Sequence, residues 1–146
     1  MQNRSAYFLS NSIHKFAFLV DKLSDRLLQD RFRISTTQYR ILLAIKEAQT
    51  SCCQKDVARY WHTTQAAVCR QIEILKRKNL IACTPNPKNR RQHVLSLTSA
   101  GSRTLEASSK VLENKLKKIY RAVGTHEQDT INRSLLKLLS AVSSAS

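Results

Sequence analysis

The chain has 146 residues, 42% of them apolar, and its 25 Lys and Arg against 10 Asp and Glu give a formal charge of +15. That apolar share excludes general disorder, and a chain with only 2 Gly and 2 Pro favours helices over a turn-rich all-β fold. The cationic surplus calls for an acidic partner, nucleic acid first and anionic membrane second, with an inert basic surface as the bland alternative. No apolar run is long enough for a membrane span and the first residues make a poor export signal, so a cytoplasmic chain with its 4 cysteines as thiols is expected.

From Asn11 to Arg31, the apolar residues Ile13, Phe16, Val20, Leu23 and Leu27 recur at steps of three and four, which predicts one stripe of a long helix. Ser35-Thr36-Thr37-Gln38 has the spacing of a capping box and opens a second helix with Ile41, Leu42 and Ile45 inward. Ser51-Cys52-Cys53-Gln54 has the same spacing and predicts the start of a short third helix with Val57, Ala58 and Trp61 inward. Thr64 is placed to cap a fourth helix with Val68, Ile72 and Leu75 inward, and Asn79, tolerant of left-handed backbone, closes it after the basic end Lys76-Arg77-Lys78.

The periodicity then changes. Leu80 to Thr84 and Gln92 to Leu97 read as strands, with Pro85 to Arg91 as the turn between them, a hairpin with a basic tip. Thr98 starts a long helix with Leu105, Leu112, Leu116, Ile119 and Val123 inward, and Gly124 ends it. Thr125-His126-Glu127-Gln128 is a third candidate capping box, and the last helix carries Ile131, Leu135, Leu138, Leu139 and Val142.

Helix, short turn, helix and hairpin in that order make a winged helix-turn-helix: a mainly α fold with a small β-hairpin wing. A helix fits the major groove of B-DNA, where its exposed N-terminal half reaches base edges, and a basic hairpin tip suits the adjacent minor groove. Charge is concentrated on this segment. Residues 54–93 hold nine basic side chains against Asp56 and Glu73, more than twice the net charge density of the remainder.

Several runs carry a resemblance. Gln54-Lys55-Asp56-Val57-Ala58, the helix from Thr64 through Val68, Arg70, Ile72 and Leu75 to Arg77-Lys78-Asn79-Leu80-Ile81, the tip Asn86-Pro87-Lys88-Asn89-Arg90-Arg91, and Leu95-Ser96-Leu97-Thr98-x-x-Gly101 together resemble the MarR family of bacterial regulators. The sequence departs from that family's usual pattern at Asn86 and Asn89, where Asp is usual, at Asn79, where Gly is usual, and at His62, where a small turn residue is usual. The absent carboxylates remove the brace that orients the wing arginine and leave the wing more basic, which raises non-specific affinity. The resemblance implies a single protomer over 1–146, with a DNA-binding region at 35–97 and dimerisation helices at 5–31 and 98–143.

The partners expected are double-stranded DNA, a second copy of the chain and a small-molecule effector, with no membrane partner. The expected function is a sequence-specific DNA-binding transcription regulator, a ligand- or stress-responsive repressor acting as a homodimer on palindromic operators. Two alternatives stand beside it, a cysteine-based redox sensor and a sequence-indifferent, nucleoid-type DNA binder. Gln65, Ala66, Cys69 and Arg70 lie on the first two turns of the fourth helix off its apolar stripe, so they are the candidate base readers, with plain solvation as the alternative for each. Thr64 and the helix start suit phosphate, as do Lys76 and Lys88, while Arg90 and Arg91 are the candidate minor-groove probes.

Cys52 and Cys53 sit at a helix start, where the dipole lowers a thiol pKa, and are the candidate redox pair; an inert buried thiol is the commoner state of each. His14, Phe18, Tyr39 and Trp61 fall on helices that, by the resemblance, border an effector pocket, with ordinary core aromatics as the alternative. The spacing of the four histidines supports no metal site, no cofactor is expected, and no catalytic constellation assembles, so an enzyme is not expected.

Overall fold

A computed structural model describes residues 2–48 and 51–145, leaving the side chains of residues 2–5 and of Arg90 outside the described set. It runs α1 (Gln2–Phe32), α2 (Thr36–Glu47), α3 (Gln54–Tyr60), α4 (Gln65–Arg77), β1 (Ile81–Asn86), β2 (Asn89–Leu97), α5 (Ser99–Tyr120) and α6 (Thr125–Ala145). The expected class holds: helices carry the fold and a two-stranded antiparallel hairpin is its only sheet among the described residues. The chain divides into two compact units, residues 1–109 and 110–146.

In the first unit the capping box at Ser35 closes as its spacing requires. Ser35 Oγ accepts from the Gln38 amide at 3.1 Å, and Gln38 Oε1 accepts from the Ser35 amide at 3.3 Å. α1 ends on Arg33 in left-handed backbone (φ 56°), and Asp25 of α1 accepts from the Thr36 amide at 2.8 Å, so the α1–α2 corner is fixed from both sides. The buried edge of α1 is one residue away from the expected stripe. Ser24 and Leu28 face inward, Leu23 and Leu27 are half-buried, and Phe16 is 49% exposed. The cause is that only the C-terminal half of α1 has a core to face, so the stripe read over the full helix averages two environments.

α2 is the central element, packing against α1, α3, α4 and β2. Leu42, Ile41, Val57, Val68 and Leu75 form the core beneath α4. The third helix does not start from the expected Ser51 box. Its first residue is Gln54, Cys53 is the N-cap, and Asp56 Oδ2 accepts from the Cys53 amide at 2.9 Å. Cys52 is instead recruited to the wing: the Leu95 amide donates to the Cys52 carbonyl at 2.7 Å, adding a bridge on the open side of β2. Thr64 caps α4 as expected, its Oγ1 accepting from the Ala67 amide at 3.2 Å, and Asn79 closes it in left-handed backbone (φ 57°). The turn between α3 and α4 needs the same conformation at His62 (φ 48°), the position where the resemblance looks for a small residue.

The hairpin is longer and its turn tighter than the sequence indicates. Pairing runs from Ile81↔Leu97 to Pro85↔His93, and then resumes at Asn86↔Asn89 after a bulge. Pro85 has no amide to donate, so the ladder breaks beside it. Asn86 Oδ1 accepts from the Lys88 amide at 2.9 Å and Asn89 Oδ1 from the Arg91 amide at 3.1 Å, which holds the tip with local side-chain bonds.

The wing leads back into α5 through Thr98. Its amide donates to the Leu80 carbonyl at 3.1 Å, its hydroxyl donates to the Asn79 carbonyl at 2.7 Å, and the same oxygen accepts from the Gly101 amide at 2.9 Å. Gly101 is buried with its Cα so close to this junction that an added Cβ would lie 1.9 Å from the Leu80 carbonyl oxygen.

In the second unit, α5 gives way to α6 at Gly124. The third box is displaced by one residue: the Gly124 amide donates to Glu127 Oε2 at 2.8 Å, while Gln128 Nε2 donates to the Tyr120 and Val123 carbonyls at 2.8 and 2.9 Å. Gln128 is thus occupied with the exposed carbonyls that end α5, and Gly124 has no side-chain oxygen to complete the pair. No residue of α6 is buried.

The Thr98–Gly101 junction yields a direct expectation. Gly101→Ala drives a methyl group into backbone that cannot swing aside, and costs about 1–3 kcal/mol or more of stability. Urea unfolding of the two chains measures it; equal midpoints contradict the close approach.

Candidate nucleic-acid interface

α4 divides cleanly between inside and outside. Val68, Ile72 and Leu75 are buried, while Gln65, Ala66, Cys69 and Arg70 are all exposed on its first two turns. The four candidate readers therefore share the outward side of one helix. Thr64 precedes them with its hydroxyl oxygen already used as the cap. Gln54 Nε2 donates to the Gln65 carbonyl at 2.8 Å, tying the first turn of α3 to the first turn of α4. No motif singled out Gln54 for this role; its position opening α3 was the only signal available.

The cations do not share one environment. Lys88 and Arg91 are exposed on the hairpin; the side chain of Arg90 lies outside the described residues. Lys76 pairs with Glu73 at 3.1 Å, and that hydrogen bond holds its ammonium pKa above the ordinary lysine value. The pair is exposed, and such pairs are weak in water, so a phosphate can displace the carboxylate. Arg59 is 3.6 Å from Asp56. Lys78, third in the same basic run as Lys76, donates instead to the Arg33 carbonyl and to Gln38 Oε1 at 3.1 Å.

Between α3, α4 and the wing lies a groove of about 300 Å³. Gln54, Gln65, Lys76, Arg91 and His93 line it, with Ile72 and Leu95 at its floor. Two candidates from different elements, Gln65 and Arg91, thus border one groove, with cations on its walls.

The structure separates the two candidate redox cysteines. Cys52 is 4% exposed, and burial, with Asp56 and Cys53 nearby, pushes its thiol from 9.0 up to about 11. The expectation of a dipole-activated thiol at Cys52 is corrected: its carbonyl joins the wing, its side chain joins the core, and desolvation outweighs the helix start. Cys53 is half-buried and Cys69 is exposed. The Cys53 thiol and amide, hydrogen-bonded to Asp56, hold that carboxyl below its usual value.

None of the four effector-pocket candidates lines the groove beside the wing. His14 and Phe18 are exposed on α1. Tyr39 Oη is 3.1 Å from Ser109 Oγ. Trp61 Nε1 donates to the Arg40 carbonyl at 2.8 Å, and the Arg40 guanidinium lies 5.3 Å from the Trp61 ring centroid while pairing with Asp21 at 2.6 Å. Tyr39 and Trp61 thus each make a hydrogen bond to another element of the first unit. Among the described residues, no group of three His, Cys, Asp or Glu side chains is placed to hold a metal ion, and no helix is long and apolar enough to cross a membrane.

Comparison with known proteins bears on this arrangement. Residues 34–92 match the MarR family model. No curated protein sequence matches the chain. Among solved structures, the transcriptional regulator BldR from Sulfolobus solfataricus is 24% identical with a TM-score of 0.85, over 97% of this chain and 99% of that one. A MarR/EmrR family regulator from Acinetobacter sp. ADP1 is 22% identical at a TM-score of 0.85, over 95% and 97%. MepR of S. aureus, in a complex with DNA, is 22% identical at a TM-score of 0.82, over 90% and 96%. These likenesses establish the winged-helix fold across nearly the whole chain.

The cysteine environments predict an order of reaction. With an aromatic disulfide reagent at neutral pH, exposed Cys69 reacts first and Cys52 stays protected until the chain unfolds. Because the folded Cys52 thiol titrates above its unfolded value, its contribution to stability is complete below pH 9.0 and is lost as pH rises towards about 11. Mass mapping of the labelled cysteines decides it; labelling of Cys52 as fast as Cys69 contradicts its burial.

Proposed function

From the match of residues 34–92 to the MarR family model, we propose that the chain is a winged helix-turn-helix transcription regulator of that family, a sequence-specific DNA-binding repressor acting as a homodimer on a palindromic site. The observation that carries the reading is the outward side of α4. Gln65, Ala66, Cys69 and Arg70 are exposed together at the start of a helix whose opposite side is locked into the core, and a basic hairpin stands beside it. A helix held in that way can lie in a major groove with its first turns at the base edges. Arg70 is the reader best suited to guanine, since its planar fork bonds O6 and N7 together, and Gln65 suits adenine. Lys88 and Arg91 supply the sequence-independent part by neutralising phosphates, or by entering the minor groove where the potential is most negative.

Dimerisation is supported by apolar surface that the single chain leaves in solvent. On α6, Ile131, Leu135, Leu138, Leu139 and Val142 are 38–66% exposed, and on α1 Tyr7 and Phe8 are over 70% exposed. A second copy covering such faces is the common solution, and two-fold symmetry in the protein implies an inverted repeat in its site. We further read the repressor as responsive to a small molecule, to which His14 and Phe18, exposed on α1, are accessible. Any molecule reaching Tyr39 and Trp61 must preserve or replace their hydrogen bonds.

A second reading has its own observation. The wing carries no carboxylate at its tip: Asn86 and Asn89 stand there, with their side-chain oxygens accepting from backbone amides. An all-cationic tip favours binding that is indifferent to sequence.

Arg70 tests the base-reading part of the first reading. Arg70→Lys keeps the charge and loses the fork, so binding to random duplex is retained while preference at one base pair per half-site falls by ~1–3 kcal/mol. Titration against duplexes carrying each single-base change of the preferred site measures it. Unaltered preference at every position removes Arg70 as a reader and makes Gln65 the leading one.

A further inference from the structure

The run Lys76-Arg77-Lys78 at the end of α4 looks, as sequence, like three equivalent phosphate ligands. Their geometry separates them. Lys78 Nζ donates to the Arg33 carbonyl, the exposed acceptor where α1 ends in left-handed backbone, and to Gln38 Oε1 at 3.1 Å. Gln38 is only 6% exposed, and both ends of its amide are engaged. Its Oε1 also accepts from the Ser35 amide, and its Nε2 donates to Gln71 Oε1 at 3.0 Å. One buried amide and one ammonium therefore join the end of α1, the start of α2, and the middle and end of α4.

We infer that Lys78 is a positioning residue for the recognition helix and not a DNA-phosphate ligand, acting through Gln38 and Gln71 to set how α4 stands against α1 and α2. The inference rests on the DNA-binding reading of α4. Physically, Lys78 is the right residue type for this joint. Its ammonium offers three donors, and its charge is favourable beside a helix C-terminus such as that of α1. Hydrogen bonds that involve an ionised donor are stronger than neutral ones. Gln38 is equally well chosen, since it supplies an acceptor to Lys78 and a donor to Gln71 from one rigid plane. Val68, Ile72 and Leu75 hold α4 in the core by contacts that have no direction, whereas the Gln38–Gln71 and Gln38–Lys78 bonds fix its rotation. Rotation of α4 about its own axis decides whether Gln65 and Arg70 meet base edges, so the joint governs sequence preference more than overall affinity.

Salt dependence distinguishes a positioning residue from a phosphate ligand. Each phosphate contact adds about 0.9 to the slope of log affinity against log salt, and a residue that neutralises no phosphate adds nothing. The test uses Lys78→Met, which keeps the stem and removes the ammonium, and Gln38→Leu, which changes no charge. Preferred and random duplexes are titrated across a salt series, alongside thermal melts. The expected result for both variants is about a tenfold fall in the preferred-over-random ratio, the scale of one charge-assisted hydrogen bond, with the salt slope unchanged. A slope lowered by about one in Lys78→Met makes it a phosphate ligand and overturns the inference. A lowered melting temperature with the ratio intact makes the joint a plain brace and also overturns it. A wild-type chain that binds no duplex overturns the DNA-binding reading itself, and this inference with it.

Discussion

The close approach of Gly101 to the Leu80 carbonyl is the constraint on which the first unit turns. The Asn79 and Leu80 carbonyls, at the exit of α4, are both taken by Thr98, and Thr98 in turn caps α5 through the Gly101 amide. The wing is therefore a loop whose two ends are stapled at one place. β1 departs from Leu80 and β2 returns at Thr98, so both ends of the hairpin are tied to the exit of α4. The Leu95 amide on the Cys52 carbonyl fixes the other side of β2 to the segment entering α3. Between these ties lies the groove lined by Gln65 and Arg91, and a site formed before its ligand arrives loses less entropy on binding.

Electrostatics and packing then divide the labour. The core under α4 is apolar and sets its depth, the Gln38 joint sets its rotation, and the exposed residues remain available for recognition. Not every cation belongs to that last class. Arg59, Lys76, Lys78, Lys88 and Arg91 are all exposed, but the first two have carboxylates beside them and Lys78 bonds to backbone and amide oxygens, whereas Lys88 and Arg91 stand on the wing. On the proposed DNA-binding reading, the charge of the segment therefore overstates the number of phosphate contacts it would make, and the wing would carry a larger share of the sequence-independent affinity than a residue count suggests.

Most of the fold was legible because its signals are local. The Ser35–Gln38 box, the Thr64 cap, the left-handed Asn79 and the Val68-Ile72-Leu75 stripe each depend on residues within a turn or two, and all are present. Several failures share a cause, which is competition from a partner outside the local motif. Ser51 loses its box because the neighbouring Cys52 carbonyl is claimed by Leu95 from the wing, and Gln128 is drawn to the end of α5. Cys52 sits near a helix start, but burial decides its chemistry. The Gln38–Lys78 bond spans forty positions of sequence, and nothing local to either residue announces it. Exposure of the candidate readers followed from periodicity alone, whereas the tie from Gln54 to Gln65 needed the three-dimensional arrangement.

The central claim is that α4 and the wing together read one DNA sequence as a two-fold pair. Selection of bound duplexes from a random pool at physiological salt tests it most directly. The account predicts an enriched inverted repeat with half-sites about one helical turn, ~34–36 Å, apart. A pool that stays random after several rounds, or a single unrepeated motif, contradicts it.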